Sequence, residues 1–433
     1  MKPMLKAALV AGAFALPAAA VPTGAAAQDC EVTVGVVLEL TGPAGQYGQA
    51  GAKSVEMALS DINEAGGVEG CNLVTDTRDS QSQGNVAVDQ ATQLVNVKGV
   101  PVVIGGIISS VSIPVLTSVT GPAGVVQVSP ASSSPTLTAL GREGKSGGKF
   151  FRTITSDALQ GTAAAKYAMD QGLDNLAIVH VNNDFGVNMM REFSRAYEAL
   201  GGKITSVTPY NENQSSYSAE ATAAMDGDPE TLYLIAYPVD GATIARAWIS
   251  QGGPQQFLLN DGMNSQEFID SVGAEFLQNA YGTSSGTSPT PSTEYFYANY
   301  EKVSDGFAPD APAADRSYDA GAIVGLALAK AAADGGGVDA ISADALAQAI
   351  PKVLADGGEP ITAGPEGFSA ALEKIKAGEP IRYQGVIGPV QFDQFGDITG
   401  PFRLWRITDG KVTTVGEMSA DEVGTIKAEI AAK

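Results

Sequence analysis

VVIGGIISSVSIP, residues 102–114, and VVQVSPASSSP, residues 125–135, decide how this chain reads. Each opens on a short apolar run, as a strand buried on both faces of a parallel sheet does. The first run then leads into a segment with helical character. Serines crowd both turns: Ser109, Ser110 and Ser112 in the first, Ser129, Ser132, Ser133 and Ser134 in the second. In open α/β sheets ligands bind beyond the carboxyl ends of the strands. Backbone N–H groups at helix starts suit carboxylates. Two adjoining hydroxyl-lined turns are therefore a candidate grip for one small carboxylate. Serine is also a preferred N-cap, and the residues alone leave both readings open.

Working outward, strands and helices alternate from residue 31 to about 283. Strands are expected at 32–37, 73–76, 102–104, 125–128, 176–180, 204–208, 232–236 and 257–259. Between the first two, Val55, Ala58, Leu59 and Ile62 recur at helical spacing, and Gly66-Gly67 ends the helix. Alternation of this kind implies mostly parallel sheets with helices on both faces. The expected fold is α/β, with two doubly wound parallel-sheet lobes that join near Lys149–Thr153. After residue 284 the turn-rich SSGTSPTPST breaks the pattern. Helices are expected at 294–303, 317–333, 343–354 and 367–376, without strands of their own, packed back on the first lobe. The chain then crosses between lobes more than once. Residues 28–152 with 284–385 form the first lobe, and 153–283 with 386–433 the second. FRLWRITDGKVTTV reads as a closing hairpin that turns at Asp409-Gly410.

The N-terminus addresses the compartment. Lys2 and Lys6 flank a basic start, Leu5–Val21 is Ala-rich and apolar, and Ala25-Ala26-Ala27 offers small residues for cleavage. That is the layout of a secretory signal peptide over residues 1–27. Its removal leaves about 400 residues, enough for two domains with cores. The full chain carries a net charge of −22, which argues against nucleic acid and anionic membranes as partners. No later segment is apolar over the length of a bilayer. A protein soluble outside the cytoplasm is expected. Cys30 and Cys71 open the first two strands. Parallel neighbours start at the same sheet edge, so the pair lies within bridging reach. A disulfide is expected in an oxidising compartment, with two buried free thiols as the alternative.

Catalytic patterns are missing from the sequence. His180 is the single histidine, so no His-based metal site forms and no cofactor is expected. Its place at a strand end fits a buried, hydrogen-bonded imidazole. GPAGQYGQAG, after the first strand, lacks the dinucleotide-binding glycine spacing. No phosphate-loop motif appears. Trp248 and Trp405 read as core.

A two-lobed α/β protein without catalytic machinery points to a clamp that closes on a ligand. The chain resembles the periplasmic leucine/isoleucine/valine-binding proteins, the type I solute receptors of branched-chain amino acid ABC transporters. The likeness covers nearly the whole mature chain. It is carried by LTGPAGQYGQAGAKSVEMALSDINEAGGV (40–68), VVIGGIISSVSIP, VSPASSSPTLT (128–138) and FFRTITSDALQGTAAAKY (150–167). It continues through HVNNDFGVNMMREF (180–193), LIAYPVDG (234–241), LLNDGMNS (258–265) and GPVQFDQFGDI (388–398).

The resemblance implies a type I periplasmic binding protein fold with a multi-crossover hinge. It implies an amino acid-like ligand, a branched-chain amino acid before others, and a membrane permease as partner. Ser109, with Ser110 beside it, matches the carboxylate position. Ser133, next to Ser132, matches a threonine that contacts both carboxylate and ammonium. Ala131 offers its carbonyl to the ammonium, and Tyr47 matches an aromatic lining the cleft. In the second lobe Tyr237 matches a tyrosine, Phe185 stands where the family often has tyrosine, and Asp261 matches an acid, usually glutamate, that pairs with the ammonium. The shorter Asp261, the hydroxyl lost at Phe185 and the extra length between Ala333 and Glu379 depart from the pattern and bear on ligand identity. Some relatives bind amides, urea or aromatic acids. A ligand-sensing subunit and a serine-type hydrolase built on Ser133 or Ser109 are the alternatives.

Overall fold

The computed structural model describes Met1 and residues 30–432. The expected signal peptide lies almost wholly outside the described residues.

The first sheet contains β1 (Glu31–Leu38), β2 (Asn72–Asp79), β3 (Val102–Gly105), β4 (Val126–Ser129) and β5 (Phe150–Arg152). Its order is β2-β1-β3-β4-β5, all parallel. The second sheet contains β6 (Asn175–Val181), β7 (Lys203–Tyr210), β8 (Thr231–Ile235), β9 (Gln256–Leu259) and β10 (Asn279–Ser285). β11 (Glu359–Ile361) and β12 (Ile381–Tyr383) form a small separate parallel pair. β13 (Phe402–Thr408) and β14 (Lys411–Met418) make an antiparallel hairpin on the edge of the second sheet. That sheet runs β14-β13-β10-β9-β8-β6-β7. Without the hairpin, each sheet has the same order, in which the chain starts near the middle and reverses direction. The reversal falls between β1 and β3 in one lobe and between β6 and β8 in the other. Such switch points open a crevice at the strands' carboxyl ends.

β3 and β4 are fully buried; the apolar run of β3 implies it, and Gln127 within β4 is held by Thr120 and by the Gly105 and Ser112 carbonyls. Gly105 ends β3 at φ +140°, and a Cβ there would lie 1.9 Å from the Val37 carbonyl oxygen. Only glycine fits that approach. The helix Ala314–Gly335 is buried around most of its girth and packs on the helix Gly45–Glu64. A Cβ on Gly325 would meet Ile62 at 2.4 Å, so glycine and alanine set the close spacing.

Cys30 and Cys71 are bridged, with Cα atoms 4.8 Å apart. The parallel register of Glu31 with Asn72 places them side by side. The hairpin turns at Asp409 (φ 51°) and Gly410 (φ 72°), the left-handed pair a two-residue turn requires.

Four expectations need correction. The eight expected strands omit β10, whose mostly polar and small sequence NAYGTSS carries no apolar run. The helical stretch after residue 294 does contain a strand, β11, too short at three residues to show periodicity. The expected join near 149–153 is itself a strand, β5, equally short. The expected helix 343–354 stops at Ala349 and tightens into a 3-10 turn over Ile350–Val353, where Pro351 removes a backbone donor.

Three crossings meet side by side beneath the lobes. The segment after Arg152 bridges to the last crossing through Thr155 and Ile398. Gly286 N–H donates to the Pro401 carbonyl at 2.8 Å. Buried Asp319 accepts from Val386 N–H, Ile387 N–H and the Tyr383 hydroxyl, at 2.7, 2.9 and 2.7 Å. Burial pushes that carboxyl up to about 7.

Candidate ligand-binding cleft

A cavity of about 120 Å³ lies between the carboxyl ends of the two sheets. A water molecule needs about 10–15 Å³ of such space, so the cavity is scaled to a small organic solute. Seven of the nine candidate ligand residues line it, and each follows a strand end. Tyr47 and Ser109 come from the first turns of the helices after β1 and β3, and Ala131 and Ser133 from the loop after β4. Phe185, Tyr237 and Asp261 come from the starts of the helical turns after β6, β8 and β9.

Ser110 and Ser132 do not line the cavity. Ser132 faces inward, and its hydroxyl lies within hydrogen-bond distance of the Gly106 and Ile107 carbonyls and donates to Ser112 Oγ at 2.7 Å. Ser129 Oγ donates to Gly106 O at 2.7 Å and accepts from Ser132 N–H at 3.0 Å. Ser134 caps the helix Pro135–Arg142. The serine clusters thus divide. Ser112, Ser129 and Ser132 bind the two turns together, Ser134 caps, and Ser109 and Ser133 reach the cleft.

Ser109 Oγ accepts the Ser134 N–H at 3.1 Å, which leaves its hydroxyl hydrogen available to an incoming acceptor. The turn before it is held by Glu39, which is fully buried and accepts from Ile107 and Ile108 N–H at 2.9 and 3.2 Å. Burial raises the Glu39 carboxyl to about 7 against those two bonds. Arg152 fixes the second turn. Its guanidinium donates to the Ser132 and Ser134 carbonyls at 3.1 and 3.0 Å and pairs with Asp397 at 2.7 Å.

Ser133 Oγ donates to Asp157 Oδ2 at 2.9 Å. Asp157 opens the helix Asp157–Asp170 and stands behind Ser133, and its Oδ1 is buried without a partner. Burial and then the nearby Asp261 charge raise its pKa. Asp261 accepts from Gly262 N–H and Asn260 Nδ2 at 3.1 and 3.2 Å. Its pKa is raised by burial, against those bonds. Asp261 lines the cleft and Asp157 lies behind Ser133, so two acids with raised pKa values stand on this side of the cavity, where a cation is the complementary charge.

Phe185 and Tyr237 stack with ring centroids 5.8 Å apart. Asn183 Nδ2 donates to the Tyr237 hydroxyl at 3.3 Å, and Asn183 Oδ1 caps the helix Asp184–Ala199. The Tyr47 hydroxyl donates to the Gly262 carbonyl across the cleft. Asn188 Nδ2 reaches Ser134 Oγ and Thr136 Oγ1 at 3.2 and 3.3 Å. The lobes are thus in direct contact around the cavity. His180 is 4 % exposed, bonds the Val181 carbonyl through Nδ1 at 2.9 Å and is not in the cleft. Burial pushes its pKa down. It is no base for either cleft serine.

Sequence reasoning missed Glu39, Asp157, Arg316 and Arg403. Glu39 ends an apolar run and Asp157 follows a serine N-cap, and both patterns have ordinary structural explanations. Arg316 lies early in a helix and Arg403 in a hairpin strand, where the cleft leaves no local trace.

Residues 31–411 match the family described as periplasmic binding protein. The chain belongs to that family, which binds solutes and is not catalytic. It is 28% identical over 396 residues to a Leu/Ile/Val-binding protein homolog of Brucella melitensis, covering 90% of this chain and 94% of that one. It is 25% identical over 390 residues to the chemotactic signal transduction system substrate-binding protein BasB of Halobacterium salinarum, covering 88% of each. Among solved structures, a leucine binding protein from Thermotoga maritima superposes with a TM-score of 0.74 at 21% identity, over 90% of this chain and 99% of that one.

Proposed function

We propose that this chain is the periplasmic receptor of an ABC importer and closes its two lobes on an amino acid-like solute. The expected boundary at 284 shifts to 286, because Ser284 and Ser285 close β10 and pair with β13. Residues 28–152 with 286–385 move as one lobe, and 153–285 with 386–433 as the other. The observation that carries this reading is a cleft with opposite chemistry at adjoining positions. Ser109 offers a hydroxyl and a helix-start N–H to a carboxylate. Ser133, the Ala131 carbonyl and Asp261 accept from an ammonium. Tyr47, Phe185 and Tyr237 cover the ligand's body. A zwitterion removed from water must have both charges matched. The closed monomer then docks on a membrane permease and releases its load. The curated Leu/Ile/Val-binding relative favours a branched-chain amino acid. A second reading, ligand sensing for a membrane receptor, is favoured by the chemotactic relative matched over nearly the same length.

A thermal-shift screen of the mature protein against amino acids, amides and aromatic acids tests the ligand class, since a ligand that binds the native state raises Tm. Amino acids are expected to give the largest shifts. Asp261→Ala should weaken their binding about 100-fold, the cost of stranding a buried cation. Shifts with amides or aromatic acids alone would keep the clamp and remove the ammonium role of Asp261.

A further inference from the structure

The end of the cavity nearest the crossings does not suit a purely apolar side chain. Arg403 on β13 lies opposite Ser284 on β10, and both line the cavity. Arg403 Nε donates to Ser284 Oγ at 3.3 Å. Among the described residues, its two terminal nitrogens have no acceptor within hydrogen-bond distance, and no carboxylate lies within ion-pair range. Arg316, beside it, is already committed. It pairs twice with Asp315, at 2.8 and 2.9 Å, and donates to the Ser285 and Gly286 carbonyls. Its Nε, on a residue only 8% exposed, is buried without a partner. Asp315 is thus spent on Arg316, and Asp310 at the cavity's rim is exposed.

A guanidinium stays charged inside a protein, and its fork of donors matches a carboxylate in two parallel bonds. Leaving such a charge unmatched in a closed cleft is costly. A leucine or valine side chain supplies no acceptor there.

Resting on the amino acid reading above, we propose that the ligand carries a second carboxylate at the end of its side chain, held by Arg403 with Ser284. The solute class is then a dicarboxylic amino acid, with the aromatics covering its methylenes and Arg403 selecting its far end. Arg403 is the specificity-determining residue, because the head-group contacts are common to all amino acids.

Calorimetric titration of the mature protein with aspartate, glutamate and 2-aminoadipate, against leucine and valine, tests this. One of the dicarboxylic acids is expected to bind at least tenfold more tightly than leucine. Arg403→Leu should weaken that ligand at least 30-fold and leave leucine within about threefold. Ser284→Ala, a smaller change, should weaken it severalfold in the same selective way. Leucine binding as tightly as every dicarboxylic acid, or Arg403→Leu weakening both classes equally, would overturn the assignment and leave the amino acid reading intact. Failure of both classes to bind would overturn the amino acid reading, and this one with it.

Discussion

The two lobes share a strand order and differ in what their loops contribute. From its strand ends lobe 1 presents hydroxyls and backbone groups, at Ser109, Ala131 and Ser133, with Tyr47 the only aromatic there, while its later segment adds Tyr297 and the Asp315–Arg316 pair. Lobe 2 presents stacked rings at Phe185 and Tyr237 and an acid at Asp261. Their buried acids differ too. Glu39 in lobe 1 has two backbone donors and serves the chain. Asp157 and Asp261 face each other's charge, and one oxygen of Asp157 has no partner. A common frame fixes where residues stand, and the loops decide what they bind.

Glu39 gives the largest way to break that contrast. Its carboxyl rises from the ordinary 4.5 to about 7 on folding. The folded state therefore binds the proton more tightly. The stabilisation is complete below pH 4.5 and is lost as pH rises through 7. At about 1.4 kcal/mol per unit, the loss approaches ~3 kcal/mol. Asp319 and Glu212, each raised to about 7, and Asp61, raised to about 6, act in the same direction. Urea unfolding at pH 5 and pH 8 should show greater stability at pH 5. In Glu39→Gln the difference should shrink while the variant is less stable at both, because Ile107 and Ile108 N–H meet different oxygens of Glu39 and one of these becomes an NH2 donor in glutamine. An unchanged pH difference would mean that Glu39 titrates normally.

Ser132 and Ser133 sharpen the contrast within a single loop. Ser132→Ala removes the hydroxyl shared by Gly106, Ile107 and Ser112 and should cost about 1–3 kcal/mol of stability with little change in ligand affinity. Ser133→Ala should weaken the ligand about tenfold, by removing both its own contact and the donor to Asp157. Paired denaturation and calorimetry separate the two. If both variants lost mainly stability, the division of the serine loop between packing and binding would be wrong.

This pair also marks what the sequence makes legible. Short apolar runs and their alternation with helical periodicity located eight strands and the closing hairpin; burial on both faces dictates the residues of central strands such as β3 and β8, whereas the edge strands β2 and β7 are largely part-exposed. Strand order was accessible only as a class. β5 and β11 were hidden by their length. In the site, position after a strand brought Ser109, Ser133 and Asp261 into view. The direction of a side chain within a loop did not follow, and so Ser132 reads like Ser133 until the Gly106 carbonyl is seen beneath it. Arg403 was hidden for another reason. It reaches the cleft from a hairpin added about 120 positions after the strand it joins, a non-local pairing that periodicity does not register.

Asn188 tests the smallest difference, between contacts that hold a lobe together and contacts that hold the lobes to each other. Its amide nitrogen reaches Ser134 and Thr136 from the helix Asp184–Ala199, and it bonds the Asp184 carbonyl of its own helix at 2.7 Å. The cross-lobe bonds exist only when the clamp is shut. They therefore bias the open–closed equilibrium and not the ligand's own contacts. A partly exposed neutral bond contributes about 0.5–1.5 kcal/mol. Asn188→Ala should thus weaken any ligand by about three- to tenfold, by the same factor for every ligand that closes the clamp. Selectivity should not move, whereas Arg403→Leu should move it strongly. Small-angle scattering of the unliganded variant should show a more open average shape than the native protein. A ligand-dependent loss of affinity in Asn188→Ala would mean that this amide touches the solute, and the lobes would then be held shut by the ligand and the Tyr47–Gly262 contact without it.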